Sequence, residues 1–163
     1  MLEMLQAHGL DAGPTQRPLL AGAIAGVLSD VPAVALLVGS GSLATLSAEL
    51  TASLYVVALV HAAAMGFAGV MYGLIFRRAA NDAAGGWLFG ISYGFLVWMV
   101  AAVPLLQWLP PQPLMVGMPA VGLFVGQLLW GLVLGASFRF VHAPLQSGVN
   151  GRLPLFAEKA GSR

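Results

Sequence analysis

Long apolar runs separated by short polar breaks make up most of this chain. Several runs reach the ~20 residues that a helix needs to cross a hydrocarbon layer of ~30 Å. The pattern predicts an all-α fold, a four-helix transmembrane bundle. The predicted spans are Pro18 to Gly39, Leu54 to Phe76, Trp87 to Trp108 and Ala120 to Phe138.

The composition also indicates a membrane protein. Hydrophobic residues make up 59% of the chain and charged residues 8%, against roughly 25% charged residues in an ordinary globular domain. A mean hydropathy of +0.88 does not suit one soluble core, because a chain of this size keeps a large surface in water. A net charge of +1 is too small to indicate a nucleic-acid partner. The absence of cysteine excludes disulfides, thiolate metal sites and iron–sulfur ligation.

Lysine and arginine are confined to one predicted side of the membrane. They are Arg17, Arg77, Arg78, Arg139, Arg152, Lys159 and Arg163. The loops 40–53 and 109–119 contain none, so the positive-inside rule predicts that both termini are cytoplasmic. The chain then divides into a cytoplasmic N-terminal segment (1–17), a transmembrane domain (18–141) and a cytoplasmic tail (142–163). The tail is predicted either to be extended and to order only against a partner, or to be disordered.

Glycine recurs at a spacing of four residues on every predicted span. Such a row lies on one helix face, where small residues let helix backbones approach closely in lipid. The rows are Gly22 and Gly26; Gly69 and Gly73; Gly86, Gly90 and Gly94; and Gly131 and Gly135. All lie in the predicted cytoplasmic half, which is therefore predicted to pack more closely than the outer half. The alternative is that glycine is simply frequent in membrane helices.

Asp30 continues the first glycine row and therefore should face the interior of the bundle. An unpaired polar group there costs several kcal/mol, and an ionised one is more expensive still. At ~1.5 Å per residue, each other span brings one polar-capable side chain to the same depth: His61, Trp98 and Gln127. We predict that His61 holds Asp30 within direct or single-water reach, with Gln127 and Trp98 as lesser donors.

This mid-membrane layer is compatible with three roles. We expect the first, a structural role: a single hydrogen-bonded layer can fix helix register, and the chain would be a non-catalytic accessory subunit of a larger membrane complex, respiratory or photosynthetic. Intramembrane ionisable residues also mark ion and proton routes, so the alternative is a small transporter or proton-conducting bundle. The third role is ligation of a haem or chlorophyll by His61 alone, because His8 and His142 lie at other depths. Membrane lipids and other membrane subunits are the expected partners.

No arrangement of residues predicts an enzyme. Gly39-Ser40-Gly41 is similar to a short nucleophile loop, but no histidine is placed near it. The segment GSGSLA fits G-x-G-x-x-A, yet it follows a predicted membrane helix rather than a strand, so the dinucleotide interpretation fails. The sequence contains no carboxylate pair, metal cluster or phosphate loop. We expect a non-catalytic protein without a metal, and without a cofactor unless His61 ligates a tetrapyrrole.

Three segments carry a resemblance to a known family: LLAGAIAGVLSDVP, HAAAMGFAGVMYGLIF and QLLWGLVLG. They comprise a Gly-rich first span, a His followed by a G-x-x-G-x-x-Y-G run, and a final W-G-x-x-x-G helix. Residues 19–138 in this way resemble the small YagU-like bacterial integral membrane proteins of unassigned function. The resemblance implies a four-helix fold in the bacterial cytoplasmic membrane and implies no activity. Relatives often have His where this chain has Gln127, and that departure weakens a two-histidine metal site.

Overall fold

The computed structural model describes residues 18–76, 80, 82, 84–104, 106 and 115–150, with side chains of the last helix described to Leu145. All regular structure in these ranges is helical, which confirms the predicted all-α class. The helices are α1 (Pro18–Gly39), α2 (Ser42–Glu49), α3 (Leu54–Phe76), α4 (Gly86–Val97) and α5 (Met118–Asn150). The N-terminal segment 1–17 and the basic residues at 77, 78, 152, 159 and 163 lie outside the described residues.

Three helices are long and apolar enough to cross a membrane: α1, α3 and the Met118–Leu145 part of α5. The third predicted span is described only over its first part. It is α-helical over Gly86–Val97 and continues as a π-helical segment, Trp98–Ala102. Its predicted end at Trp108 lies outside the described residues. The protein is thus a helical membrane protein, and its described ranges contain three long spans and one apolar helix of which 17 residues, Gly86–Ala102, are described.

The loop predicted for residues 40–53 contains the short helix α2. Gly41 has φ 76° and separates α1 from α2, a left-handed conformation that glycine adopts without a steric penalty. Leu43 and Leu46 of α2 are buried at spacing three and belong to an apolar cluster. The other buried members of that cluster are Leu37, Val57, Met115 and Leu123. α2 therefore folds back onto α1, α3 and α5 and covers one end of the helices.

The helix α5 continues past the predicted end of the fourth span and includes Pro144. Residues 142–150 are helical where the sequence predicts an extended or disordered tail. Val141 and Leu145 pack against the buried core, so apolar burial compensates for the backbone hydrogen bond that Pro144 cannot make. The rest of the tail, 151–163, lies outside the described residues.

α1 and α3 form an antiparallel hairpin in which the backbones touch at glycines. A Cβ atom added to Gly22 would meet the carbonyl oxygen of Gly69, and one added to Gly69 would meet that of Gly22, both far inside van der Waals distance. A Cβ atom at Gly26 would lie 2.5 Å from the carbonyl oxygen of Met65. Hydrogen alone fits at these positions, so the close approach requires glycine.

α4 and α5 form a second hairpin with the same kind of contact. Added Cβ atoms at Gly90 and Gly131 would each meet the carbonyl oxygen of the other residue. One at Gly86 would lie 3.0 Å from the carbonyl oxygen of Gly135. The glycine rows of the sequence therefore lie at the α1–α3 and α4–α5 contacts.

The two hairpins correspond residue by residue. The equivalent contacts, first hairpin then second, are Gly22–Gly69 and Gly90–Gly131, Gly26–Met65 and Gly94–Gln127, and Gly73–Pro18 and Gly135–Gly86. Equal steps of four residues extend the correspondence by one turn, so Asp30 and His61 of the first hairpin correspond to Trp98 and Leu123 of the second. The four main helices are a structural tandem repeat of one helical hairpin.

The hairpins are joined at the centre by α1 and α5. The other two helices, α3 and α4, are linked by two buried hydrogen bonds. Tyr72 donates to the carbonyl of Gly86 at 3.3 Å, and Tyr93 donates to the carbonyl of Ala68 at 2.8 Å. The two tyrosine rings contact Phe76, Trp130 and Phe138. This aromatic cluster and the glycine contacts lie in one half of the helices, here called the glycine half; the end covered by α2 is the α2 half.

Candidate functional site

A buried carboxylate and an imidazole meet midway along the first hairpin. Asp30 follows Gly26 by one turn on the face of α1 that packs on α3, and its side chain is 3% exposed. The side chain of His61 on α3 is 13% exposed. His61 Nδ1 lies 3.3 Å from Asp30 Oδ2 in hydrogen-bonding geometry and 3.0 Å from Oδ1 at a less favourable angle. The sequence predicted that these two residues lie at the same depth and pair, and the structure brings them into contact.

This pair has a restricted protonation chemistry. An ionised carboxylate only accepts hydrogen bonds, so the hydrogen between the two groups belongs to His61 Nδ1 when Asp30 is ionised. In the neutral imidazole, Nε2 is then an acceptor; in the imidazolium, Nε2 is a second donor. Either group alone would be expensive to bury, which makes the contact strongly favourable relative to breaking it.

α1 and α5 are held in register by contacts on either side of this level. Trp130 is fully buried and donates its indole N–H to the carbonyl oxygen of Gly26 at 2.9 Å. Further along, Gly126 lies against α1, where an added Cβ atom would be 3.9 Å from the carbonyl oxygen of Ala33. The sequence did not single out Trp130 for this role, although it follows Gly122 and Gly126 at spacing four.

Ser29 and Gln127 lie between these contacts and so share the level of the Asp30–His61 pair. Ser29 is fully buried, and Gln127 is 5% exposed. We call Ser29, Asp30, His61 and Gln127 the polar cluster. Sequence reasoning missed Ser29, and the available signal was a second row of small residues at spacing four on α1. That row is Ala21, Ala25, Ser29 and Ala33.

Each residue of the polar cluster has one buried polar atom without a hydrogen-bond partner among the described residues. The atoms are Ser29 Oγ, Asp30 Oδ1, His61 Nε2 and Gln127 Oε1. Native interiors pair nearly all such atoms with protein or ordered water, and the requirement is stricter in lipid, where bulk water is absent. Unused bonding capacity at one level of the molecule therefore indicates a place for water or another small ligand.

Trp98 lies at the predicted depth, but its side chain packs on apolar rings. Its ring packs on Phe95 and Phe124, with centroids 6.0 and 4.7 Å away, and in the described part of the chain it makes no hydrogen bond to Asp30. Trp98 continues the glycine row of α4, which packs on α5 rather than on α1. Trp98 therefore faces apolar rings rather than the polar cluster.

A cleft of about 400 Å³ lies in the second hairpin, at the level that the Asp30–His61 pair occupies in the first. It is lined by Trp98, Ala102, Val103, Leu106, Met115, Ala120 and Leu123. Trp98 and Leu123 are the counterparts of Asp30 and His61, so the two hairpins differ at this level although their glycine contacts match. The cleft belongs to the α2 half, whereas the glycine half is closed by backbone contacts and aromatic rings.

The other candidate chemistries of the sequence have structural explanations. Ser40 Oγ lies 2.6 Å from Ser42 Oγ, which donates to the carbonyl of Pro119 at 2.7 Å, so these hydroxyls tie the α1–α2 turn to α5. His61 Nε2 is buried and has no open side for a planar tetrapyrrole. His142 packs near Phe138, in the glycine half. Within the described ranges no three His, Asp or Glu side chains converge to hold a metal.

Comparison of the chain with family models, with curated proteins and with solved structures finds no match. The resemblance to YagU-like membrane proteins therefore stays a prediction. Function has to be inferred from the polar cluster and from the repeat that surrounds it.

Proposed function

We propose that this is a four-helix protein of the bacterial cytoplasmic membrane, with both termini cytoplasmic, which moves protons or small ions through the polar cluster. The single observation that carries the proposal is the buried Asp30–His61 pair at the centre of a helical membrane protein. Ionisable residues inside membranes are expensive and mark ion or proton routes often enough to make transport the default hypothesis.

The tandem repeat supports transport over a purely structural role. The second hairpin keeps the same glycine register with Trp98 and Leu123 at the counterpart positions. A polar pair is therefore not needed to fix the register of such a hairpin, which weakens the structural explanation of Asp30 and His61. Repeats related by an axis along the membrane normal also occur in transporters, with sites near the midplane between the repeats.

The proposed mechanism uses the two protonation states of the pair. A proton that arrives at His61 converts the imidazole into an imidazolium held by the Asp30 carboxylate, and loss of the proton restores the neutral imidazole. Ser29 and Gln127 add a hydroxyl and an amide where a water could continue the path. The glycine half is closed by backbone contacts, and the α2 half contains the cleft. The polar cluster would therefore be reached from one side of the membrane at a time.

Proton movement can be tested in proteoliposomes that enclose a pH-sensitive dye. An imposed proton gradient should dissipate faster with the wild-type protein than with empty vesicles, and Asp30→Asn should remove that increase. Asp82→Asn is the matched control, because it makes the same chemical change at an exposed residue between α3 and α4. Equal rates for wild type, Asp30→Asn and empty vesicles would refute proton transport.

The proposed topology can be tested separately by single cysteines, since the chain contains none of its own. Val116→Cys and Ala84→Cys place a thiol at exposed positions at opposite ends of the helices. A membrane-impermeant maleimide added to intact cells should label the first and should label the second only after the cells are opened. The reverse pattern would contradict cytoplasmic termini.

A second candidate is an accessory subunit of a larger membrane complex, respiratory or photosynthetic, and one observation favours it. Among the three long spans, α3 buries the smallest share of its residues, and Tyr55, Leu59 and Phe67 are more than two-thirds exposed on it. Lipid or another subunit would cover these side chains. Purification in mild detergent distinguishes the two candidate functions. A stoichiometric complex supports the accessory role, and an isolated protein or homo-oligomer supports transport. An absorption spectrum of the same sample tests the tetrapyrrole alternative.

A further inference from the structure

We infer that the polar cluster is a binding site for a small monovalent cation, Na⁺ or Li⁺, which occupies it in exchange for a proton. The inference rests on the proposed transport function and names its second substrate. It starts from the unpartnered atoms Ser29 Oγ, Asp30 Oδ1 and Gln127 Oε1, all buried at one level of α1 and α5.

These atoms form a set of acceptors with too few donors. The carboxylate and the amide oxygen only accept hydrogen bonds, and His61 Nε2 also accepts when Nδ1 carries the hydrogen toward Asp30. The hydroxyl of Ser29 is the single donor among the four unpartnered groups, and it can equally act as an oxygen ligand. Oxygen donors of this kind are preferred by hard cations.

The direct ligands of the cation would be the three buried side-chain oxygens. Pro32 frees the carbonyl of Leu28 from its helical donor, but that carbonyl lies about 200° around α1 from Asp30. Leu28 is 56% exposed, so its carbonyl is on the outer face of α1 and is not a ligand. Water would complete the coordination shell, as it does for many buried polar groups.

Charge selects a monovalent ion. With His61 neutral, the polar cluster carries the single negative charge of Asp30, and a monovalent cation makes the total zero. A divalent ion would leave one uncompensated positive charge in the membrane interior, which is expensive. At this level α1 contributes Asp30 and α3 contributes His61, while the described parts of α4 and α5 contribute no titratable group.

The same charge balance makes cation and proton exclude one another. When His61 is protonated, the Asp30–His61 pair is already neutral, and a bound cation would create net positive charge. Loss of the proton from His61 restores the net negative charge that attracts the cation. One site thus holds either a proton or a small cation, which is the requirement for exchange of the two across a membrane.

Binding can be measured through the thermal unfolding of the full-length protein in detergent, in a mildly alkaline buffer. A ligand that binds only the folded state raises Tm as its concentration increases. NaCl or LiCl should raise Tm relative to choline chloride at equal ionic strength, and KCl should raise it less. Asp30→Asn should remove the difference between the salts.

Two variants test which residues form the site. Ser29→Ala and Gln127→Leu should each increase the Na⁺ concentration that gives half of the Tm rise by about tenfold or more, because each removes a buried oxygen ligand of a charged group. Ser137→Ala is the matched control, since the Ser137 hydroxyl bonds the carbonyl of Leu134 on another part of α5. It should leave the Na⁺ dependence unchanged.

Equal Tm values of the wild type in NaCl, LiCl and choline chloride would overturn the cation site. So would a Na⁺ dependence that both Ser29→Ala and Gln127→Leu leave intact. The wild-type salt series needs no variant to fold. Proton flux is measured independently in vesicles loaded with NaCl and in vesicles loaded with choline chloride. Flux in either without a salt effect on Tm refutes the cation site alone, and a salt effect on Tm without flux in either refutes the transport function.

Discussion

Gly90→Ala should destabilise the protein by about 2 kcal/mol, because it adds one methyl group to the closest contact between α4 and α5. The new Cβ atom would meet the carbonyl oxygen of Gly131 and would lie 2.7 Å from both N and Cα of Gly135. Ordinary contact begins near 3.4 Å, so the helices must separate by about 0.7 Å (3.4 − 2.7 Å) or more. All of these neighbours are backbone atoms, which cannot rotate away as a side chain could.

The magnitude combines three terms. Overpacking of a close contact typically costs about 1–3 kcal/mol, with a middle value of about 2 kcal/mol. A weakened Cα–H···O contact between the helices adds a loss of about 0.5–1 kcal/mol. The higher helix propensity of alanine returns up to about 1 kcal/mol, which leaves a net loss of about 2 kcal/mol. By the repeat, Gly22→Ala in the first hairpin should lose a similar amount.

The assay is reversible unfolding in mixed micelles, followed by tryptophan fluorescence, with Gly39→Ala as the matched control. Nothing lies within 4 Å of a Cβ atom added at Gly39, so that variant should be neutral or slightly stabilised. If Gly90→Ala and Gly39→Ala unfold at the same denaturant concentration as the wild type, α4 and α5 are not in backbone contact and the glycine rows face lipid.

Two further predictions concern the centre of the molecule. A double-mutant cycle with Asp30→Leu and His61→Leu should give a modest coupling, near the ~0.6 kcal/mol average for polar pairs in membranes; strictly additive losses would contradict a direct contact. Trp130→Phe keeps an aromatic ring but leaves the carbonyl of Gly26 without its donor, so unfolding measurements should show a loss of about 1–2 kcal/mol, whereas the half-exposed Trp87→Phe should change stability by less than about 0.5 kcal/mol.

Hydropathy and glycine spacing were sufficient for much of the fold. The bounds of α1 and α3 coincide with the predicted spans, because each apolar run is as long as the helix that it forms. The depth of Asp30 and His61 also followed from counting residues along straight helices. These features depend on local sequence and on one dimension, the height along the membrane normal.

Features that depend on helix rotation or on tertiary packing were not predictable in the same way. The side chain of Trp98 has the right height but lies against Phe124, because its row on α4 packs on α5 rather than on α1. The helix α2 is too short and too mixed in polarity to stand out, and its leucines are explained only by the cluster that they join. The tandem repeat is carried by backbone contacts at glycines, which leave little trace in the side chains.

The glycine contacts also determine where the proposed transport cycle could allow movement. Within each hairpin of the glycine half, the backbones touch at several successive turns, so the two helices cannot separate there without losing all of these contacts together. The described residues of the α2 half make no glycine contacts within the second hairpin, and this half contains the cleft beside the π-helical segment. In the proposed cycle, opening of the polar cluster is therefore cheapest as a tilt of the α4–α5 hairpin as one unit, about the hydrogen bonds that link α4 to α3. Such a tilt would widen the α2 half while Tyr72 and Tyr93 keep the glycine half closed, and it would give Asp30 access to one side of the membrane at a time.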